Sequence, residues 1–361
     1  MLQRKYRAGI VGATGMVGQR FITLLSDHPF FTPVLFAASA SSAGKKYKDA
    51  VGDRWKLSVP MPEYAKDMTV CDAADVGLIR RECDFVFCAV NMPKEETKAL
   101  EEAYASAGIP VVSNNSANRN TPDVPMMVPE INCSHLEVIP YQQKRLGTKT
   151  GFIAVKPNCS IQSYAPVIAA LRDFEPYEVL ASTYQAISGA GRTFEQWPEM
   201  VDNVIPFISG EEEKSEKEPL KLLGRVENGV IVPCDGLNIT TQCIRVPVSD
   251  GHLATVFIKF RKNPTKEQFI EATERFGALP DGLKLPSSPE KFITYFTEDD
   301  RPQTKLDRML YNGMGVSYGR LRPDSIFDWK FVGLSHNTLR GAAGGAVLIA
   351  ELLAEKGYFG R

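Results

Sequence analysis

The stretch Ala8-Gly-Ile-Val-Gly-Ala-Thr-Gly-Met-Val-Gly-Gln19 decides the fold. Its first four residues form a short apolar run, the pattern of a buried strand. Gly12, Gly15 and Gly18 follow at three-residue intervals, and Phe21, Leu24 and Leu25 continue at helical spacing. A strand that turns through glycines into a helix presents backbone N–H groups to an anion at the helix start. The spacing is GxxGxxG rather than GxGxxG, so the turn reads as a dinucleotide cradle or as a tight packing turn. Its strand–turn–helix context favours the cradle.

Outward from this turn, strand-like runs at 33–38, 84–90 and 109–113 alternate with helical patterns, including one over 93–107. Pro93 suits the first turn of that helix and Gly108 its end. This alternation predicts an α/β fold whose N-terminal part is a Rossmann-like parallel sheet with crossover helices. At the end of the second run the chain reads Ala37-Ala-Ser-Ala-Ser-Ser-Ala-Gly-Lys-Lys46, with no carboxylate to hold a ribose 2′-hydroxyl. Ser39, Ser41 and Ser42, with Lys45 and Lys46 nearby, suit a 2′-phosphate instead, so NADP is the expected cofactor. The plainer alternative is a solvated loop.

Beyond residue 155 the strand-like runs lengthen, at 179–184, 241–248 and 252–260, with helical patterns at 160–171 and 266–276. They predict an α+β catalytic domain on a large mixed, mostly antiparallel sheet. Residues 210–219, dense in Glu and Lys, read as an exposed loop or helix start. The last segment, 338–356, is apolar at helical spacing through Leu339, Val347, Leu348, Leu352 and Leu353, and is expected to return to the first domain. The expected division is 1–156, completed by 338–361, for cofactor binding, and 157–337 for catalysis and dimerisation.

Bulk properties exclude more than they assert. At 361 residues two domains are expected. A net charge of -1 gives no basis for binding nucleic acid or an anionic membrane surface. The N-terminus runs straight into a strand-like segment, and no apolar stretch is long enough to span a bilayer. Seven scattered cysteines without CxxC spacing argue against a disulfide framework and a zinc site. A reducing, cytoplasmic setting is expected, with no metal.

One cysteine stands apart. In Ile153-Ala-Val-Lys-Pro-Asn-Cys-Ser-Ile-Gln162 an apolar run ends at Pro157 and a helical pattern begins after Asn158. Cys159 is therefore placed at a helix N-terminus, where partial positive charge favours thiolate. Cys71, Cys83, Cys88, Cys133, Cys234 and Cys243 read as inert. Of the four histidines, His28, His135 and His336 have turn or helix-end settings, while His252 follows Asp250-Gly251 at the start of a strand. Arg245, seven positions earlier, suits a substrate carboxylate. Gln185, in Tyr184-Gln-Ala-Ile-Ser-Gly-Ala-Gly191, can hydrogen-bond near the sulfur, and Arg119 can hold phosphate or be merely solvated. A nucleophilic sulfur beside a hydride carrier implies redox chemistry through a thioester.

Taken together, GATGMVGQ, SNNSANR, PNCS, TYQAISGAG, EEEKSEKEPLK and RVPVSDGH resemble the aspartate-semialdehyde dehydrogenase family, in its fungal and archaeal-type branch, over nearly the whole chain. The resemblance implies an NADP-dependent enzyme of lysine, methionine and threonine biosynthesis. It would reduce L-aspartyl-4-phosphate to L-aspartate 4-semialdehyde and act as a homodimer or homotetramer, with a small-molecule substrate and inorganic phosphate as its partners. Cys159 would be the nucleophile, His252 the acid/base, Gln185 the group orienting the acyl carbon, and Asn158 a neighbour of the thiol. Arg245 and Glu218 would hold the substrate's carboxylate and amino group, and Arg119 and Lys221 the phosphate. Gly12, Thr14, Gly15, Met16, Val17, Ser39, Ser42, Ser188, Gly189, Gly191 and Asn337 would contact NADP. The loop carries Ala40 where related sequences often have Arg. Two other readings are a related acyl-phosphate reductase, such as N-acetylglutamyl-phosphate reductase, and a non-catalytic NADP-binding regulator.

Overall fold

The computed structural model describes residues 5–360. In chain order the first strands are β1 (Tyr6–Val11), β2 (Phe31–Ala38), β3 (Val70–Asp72), β4 (Phe85–Cys88), β5 (Val111–Ser113) and β6 (Ile153–Val155). They form a six-stranded parallel sheet in the order β3-β2-β1-β4-β5-β6. The chain departs in opposite directions on either side of β1, so the crevice at the carboxyl end of β1 and β4 is the switch point where such sheets bind ligands. The glycine turn occupies it.

Alternation along the strands divides the apolar side chains between two cores. Ile10, Phe85 and Phe87 pack with Phe21 of the helix Met16–Leu24 and with the helix Ala343–Glu355. Val11, Val86 and Cys88 face the other way, toward Tyr104 of the helix Lys94–Ser106. Both faces are covered, which is why the strands are apolar almost throughout. The helix Ala343–Glu355 is buried along nearly its whole length and, before its final residue, apolar except for Glu351, which bonds His28 and Ser287, and it returns to the first sheet.

The remaining strands are β7 (Pro176–Gln185), β8 (Arg225–Glu227), β9 (Val230–Val232), β10 (Asn238–Arg245), β11 (His252–Phe260), β12 (Ile293–Tyr295), β13 (Val316–Pro323) and β14 (Trp329–Ser335). Six of them build a mixed sheet, β10-β7-β11-β14-β13-β12, parallel at its two edges and antiparallel within. β8 and β9 form a separate ribbon. Register decides the chemistry here. Arg245 pairs with Gln185 across β10 and β7, and His252 opens β11 beside the same end of β7. All three side chains are buried, so this end of the sheet presents them together.

Two sequence expectations change. Residues 160–171 are not one helix but a 3-10 turn, Ser160–Ser163, and a helix, Ala165–Ala170, separated at Tyr164. Pro166 explains the break, since it has no N–H to continue the helix from the preceding turn. Of the two readings of residues 210–219 the helix start holds, but the helix Glu211–Leu222 is not exposed: Glu211, Ser215, Glu218 and Leu222 are buried along one face.

Candidate active site

The sulfur sits on a turn built by its neighbours. Asn158 Oδ1 accepts the Ser160 N–H at 2.7 Å and the Ser160 hydroxyl at 2.6 Å, fixing the chain as it leaves β6. Gly333 lets the turn close on the sheet, because a Cβ there would lie 1.9 Å from the Ser163 carbonyl oxygen. Cys159 is half-buried, with Sγ 3.4 Å from His252 Nε2.

Burial opposes the thiolate that a helix start would favour. Burial pushes the Cys159 thiol up to about 11, and the Glu211 carboxylate adds to this against the opposing charges of Lys156, Arg119 and Arg245. The 3-10 turn that follows has only four residues, too short for a sizeable dipole. Burial likewise pushes His252 down to about 3, helped by Arg245, so its ring is neutral. His252 Nδ1 accepts the Ala186 N–H at 3.1 Å, which assigns the ring proton to Nε2, facing the sulfur.

A second group of polar residues adjoins the thiol. Glu218 accepts the Asn158 N–H at 2.5 Å on one oxygen and Arg119 Nη1 at 3.0 Å on the other. Arg119 also donates to the Asn114 carbonyl at 2.9 Å, while its Nε has no protein partner. Arg245 Nη1 donates to the Ala186 carbonyl at 2.6 Å, so one backbone residue contacts both Arg245 and His252. A cavity of about 150 Å³ opens beside Arg119 and Glu218, lined also by Lys94, Ser116, Lys214 and Lys217.

Lys221 is placed differently from the phosphate-binding expectation. Its Nζ donates to the carbonyls of Arg119 at 2.7 Å, Thr121 at 2.7 Å and Val124 at 2.9 Å. All three ammonium protons are engaged by backbone carbonyls in this arrangement. Burial pushes this amine down to about 8. Lys221 thus ties down the loop that carries Arg119. Replacing it by Met should leave three carbonyls unpaired and destabilise the protein by about 3 kcal/mol or more. Thermal unfolding checks this against the exposed Lys217→Met, which should be nearly silent. A Lys221→Met protein of normal stability with a raised phosphate KM would return Lys221 to the anion site.

The cofactor cleft passes a direct test of fit. Gly12 has φ +86° and its Cβ would fall 2.3 Å from the Ala89 carbonyl oxygen, and a Cβ on Gly18 would meet the Gly12 carbonyl oxygen at 2.3 Å. Both glycines are demanded by the fold. Gly15 is not, since a Cβ there would touch only the Gly12 oxygen, at an ordinary 3.5 Å. The open side of the turn is therefore free for a close-approaching ligand, at a helix start with no side-chain cap. Thr14 leads into this turn, and Met16 and Val17 form the first turn of the helix.

Hydrogen bonds gather the other residues expected to contact a cofactor around the cleft. Gln19 bonds the Thr14 carbonyl and the Lys56 N–H, and Lys56 Nζ reaches the Gly191 carbonyl. Asn337 bridges Ser188 Oγ at 2.8 Å and the Gly251 N–H at 2.8 Å. Gly189 lies over Arg245 and His252. Ser39 and Ser42 lie in the turn after β2, closed by the Ser42 N–H on the Ser39 carbonyl at 2.9 Å. Lys46 Nζ pairs with Asp67 at 2.9 Å in an exposed ion pair.

With this geometry in hand, comparison with known proteins is direct. Residues 7–139 match the family model "Semialdehyde dehydrogenase, NAD binding domain", and residues 166–340 match "Semialdehyde dehydrogenase, dimerisation domain". The chain is 43% identical to the aspartate-semialdehyde dehydrogenase of Aspergillus fumigatus, over 98% of each chain. It is 42% identical to that of Methanothermobacter thermautotrophicus, over 96% of this chain and 98% of the relative. The chain belongs to the aspartate-semialdehyde dehydrogenase family. A crystal structure of the Candida albicans aspartate-semialdehyde dehydrogenase with NADP superposes with a TM-score of 0.87 at 38% identity, covering 98% of this chain and 100% of that one.

Two residues of this aspartate-semialdehyde dehydrogenase family member escaped the sequence reading. Lys156 is fully buried three positions before the thiol, donates to the Pro157 carbonyl at 3.0 Å, and is held well below the usual lysine range by burial. Glu211 is a buried carboxylate at the start of the helix Glu211–Leu222. The signal for Glu211 was present: Glu211, Ser215 and Glu218 recur at helical spacing, a polar stripe on one face.

Proposed function

We propose that this chain reduces L-aspartyl-4-phosphate to L-aspartate 4-semialdehyde with NADPH, reversibly and with release of inorganic phosphate, through a thioester on Cys159. The observation that carries this reading is the 3.4 Å contact between Cys159 Sγ and His252 Nε2. That contact is bounded by the Arg119–Glu218 pair on one side. On the other, Asn337 connects Gly251, the neighbour of His252, to Ser188 at the cofactor cleft.

In the first step Sγ bonds to the acyl carbon while the carbon–oxygen bond to phosphate breaks. The thiol proton passes to His252 Nε2, once the ring proton has moved to Nδ1 and the Ala186 bond is given up. Arg119 faces the departing phosphate, and its exchange of Glu218 for that anion frees Glu218 for the substrate's ammonium group. Arg245 holds the carboxylate, and Gln185 and Asn158 shape the acyl pocket. The glycine turn, Ser39, Ser42, the Ser188–Gly191 turn and Asn337 would hold NADPH, which would supply a hydride for the acyl carbon. His252 then returns its proton to the sulfur as the carbon–sulfur bond breaks and the aldehyde leaves.

The division at residue 156, with 338–361 completing the cofactor domain and 157–337 serving catalysis and dimerisation, belongs to the same reading. So do a homodimeric or homotetrameric state and a cytoplasmic setting. Seven free thiols support the latter. Among the described residues no helix is long and apolar enough to cross a membrane, and no group of His, Cys, Asp and Glu is placed to hold a metal. The test is NADPH formation by the purified chain from L-aspartate 4-semialdehyde and NADP. Formation that requires inorganic phosphate is expected; none, or equal formation without phosphate, would overturn the reading.

A further inference from the structure

Glu211 opens the helix Glu211–Leu222 as a buried carboxylate with four hydrogen bonds. Both of its oxygens lie 3.0 Å from Asn158 Nδ2. One also receives Gln185 Nε2 at 3.2 Å, and the other Lys214 Nζ at 2.9 Å. The two amides come from different parts of the chain: Asn158 precedes the nucleophile, and Gln185 ends β7. The far side of the Asn158 amide accepts from Ser160, so this single carboxylate links the thiol turn to the end of the sheet.

Glu211 is charged. Burial would push its carboxyl up, but the Lys214 charge and hydrogen bond, with the Asn158 and Gln185 amides, outweigh this and hold it below the ordinary range. Its field reaches Cys159, Arg245 and His252. The other charges facing the sulfur are Lys156 at the end of β6, Arg119 on the polar turn and Arg245 on β10.

We propose that Glu211 is a positioning residue for the thiol reaction: one carboxylate orients the Asn158 and Gln185 amides about Sγ, and its negative charge faces the sulfur. The inference rests on Cys159 being the nucleophile.

Only the thiolate is alkylated. Iodoacetamide labelling of the full-length chain should therefore quicken with rising pH through about 11, the value to which burial raises the thiol. Glu211→Gln keeps the shape and removes the charge. It should lower that midpoint by about one pH unit, so that labelling is faster near neutrality. It should also reduce kcat by about tenfold or more, because the amides lose their shared acceptor. Faster alkylation with slower turnover is an outcome that general destabilisation does not produce.

Glu211→Asp keeps the charge but draws it back by one methylene. Its midpoint should stay put while kcat falls, and it tests the positioning role even if the Gln variant does not fold. Wild-type kcat in either variant, or an unmoved or raised midpoint in Glu211→Gln, overturns the proposal. Alkylation of Cys159 that leaves the wild-type enzyme active would instead overturn the thioester reading itself.

Discussion

Cys159→Ala lowers turnover by about 10⁴-fold or more, because the covalent route has no other nucleophile at that position. The fold should persist. The half-buried thiol is a small group, and the turn around it is held by Asn158, Ser160 and Glu218 rather than by Sγ. Its removal should destabilise the protein by about 1 kcal/mol or less. NADP binding should also survive, since the glycine turn and Asn337 make their hydrogen bonds without the sulfur. Steady-state rates and equilibrium dialysis with NADP check both halves. Turnover within tenfold of wild type would sink the thioester mechanism, and lost cofactor binding would show that the variant had not kept its fold.

Arg119→Ala comes next in size, with kcat/KM reduced by about 10³-fold, or about 4 kcal/mol. Two effects combine. The departing phosphate loses a charged donor, and Glu218 loses its partner at 3.0 Å while only 3% exposed. An unpaired buried carboxylate of that kind destabilises by about 3 kcal/mol. The two effects separate in a double variant. Adding Glu218→Gln should recover thermal stability but not phosphate affinity in the oxidative direction. An unchanged phosphate KM in Arg119→Ala would move the anion site toward Lys94, Lys214 and Lys217, which line the same cavity.

Much of the fold was legible because its signals are local. The glycine turn, the first two parallel strands and the helix Lys94–Ser106 announce themselves within a dozen residues each. β13 and β14 were missed. Their ladder is irregular between Gly319 and Arg322, with Arg320 at φ +56°, so no clean two-residue period exists to be read. The helix start near residue 210 is legible, but its burial is not, because the buried face is polar and packs against other polar groups. The resemblance implied a phosphate role for Lys221, and nothing local in the sequence points to the three carbonyls, from residues about a hundred positions away, that its Nζ contacts.

By itself, then, the order of residues specified a glycine turn on a parallel sheet and singled out Cys159 with the residues to stand near it. Folding alone set how far burial and neighbouring charges push each of those groups, and which partners each one keeps. The reason is physical: periodicity and turn chemistry act between neighbours along the chain. The charge on a sulfur or an imidazole depends on how much water is excluded and which charges remain close, and the groups that do this to Cys159 come from β6, β10, β11, the polar turn and a helix fifty residues further on.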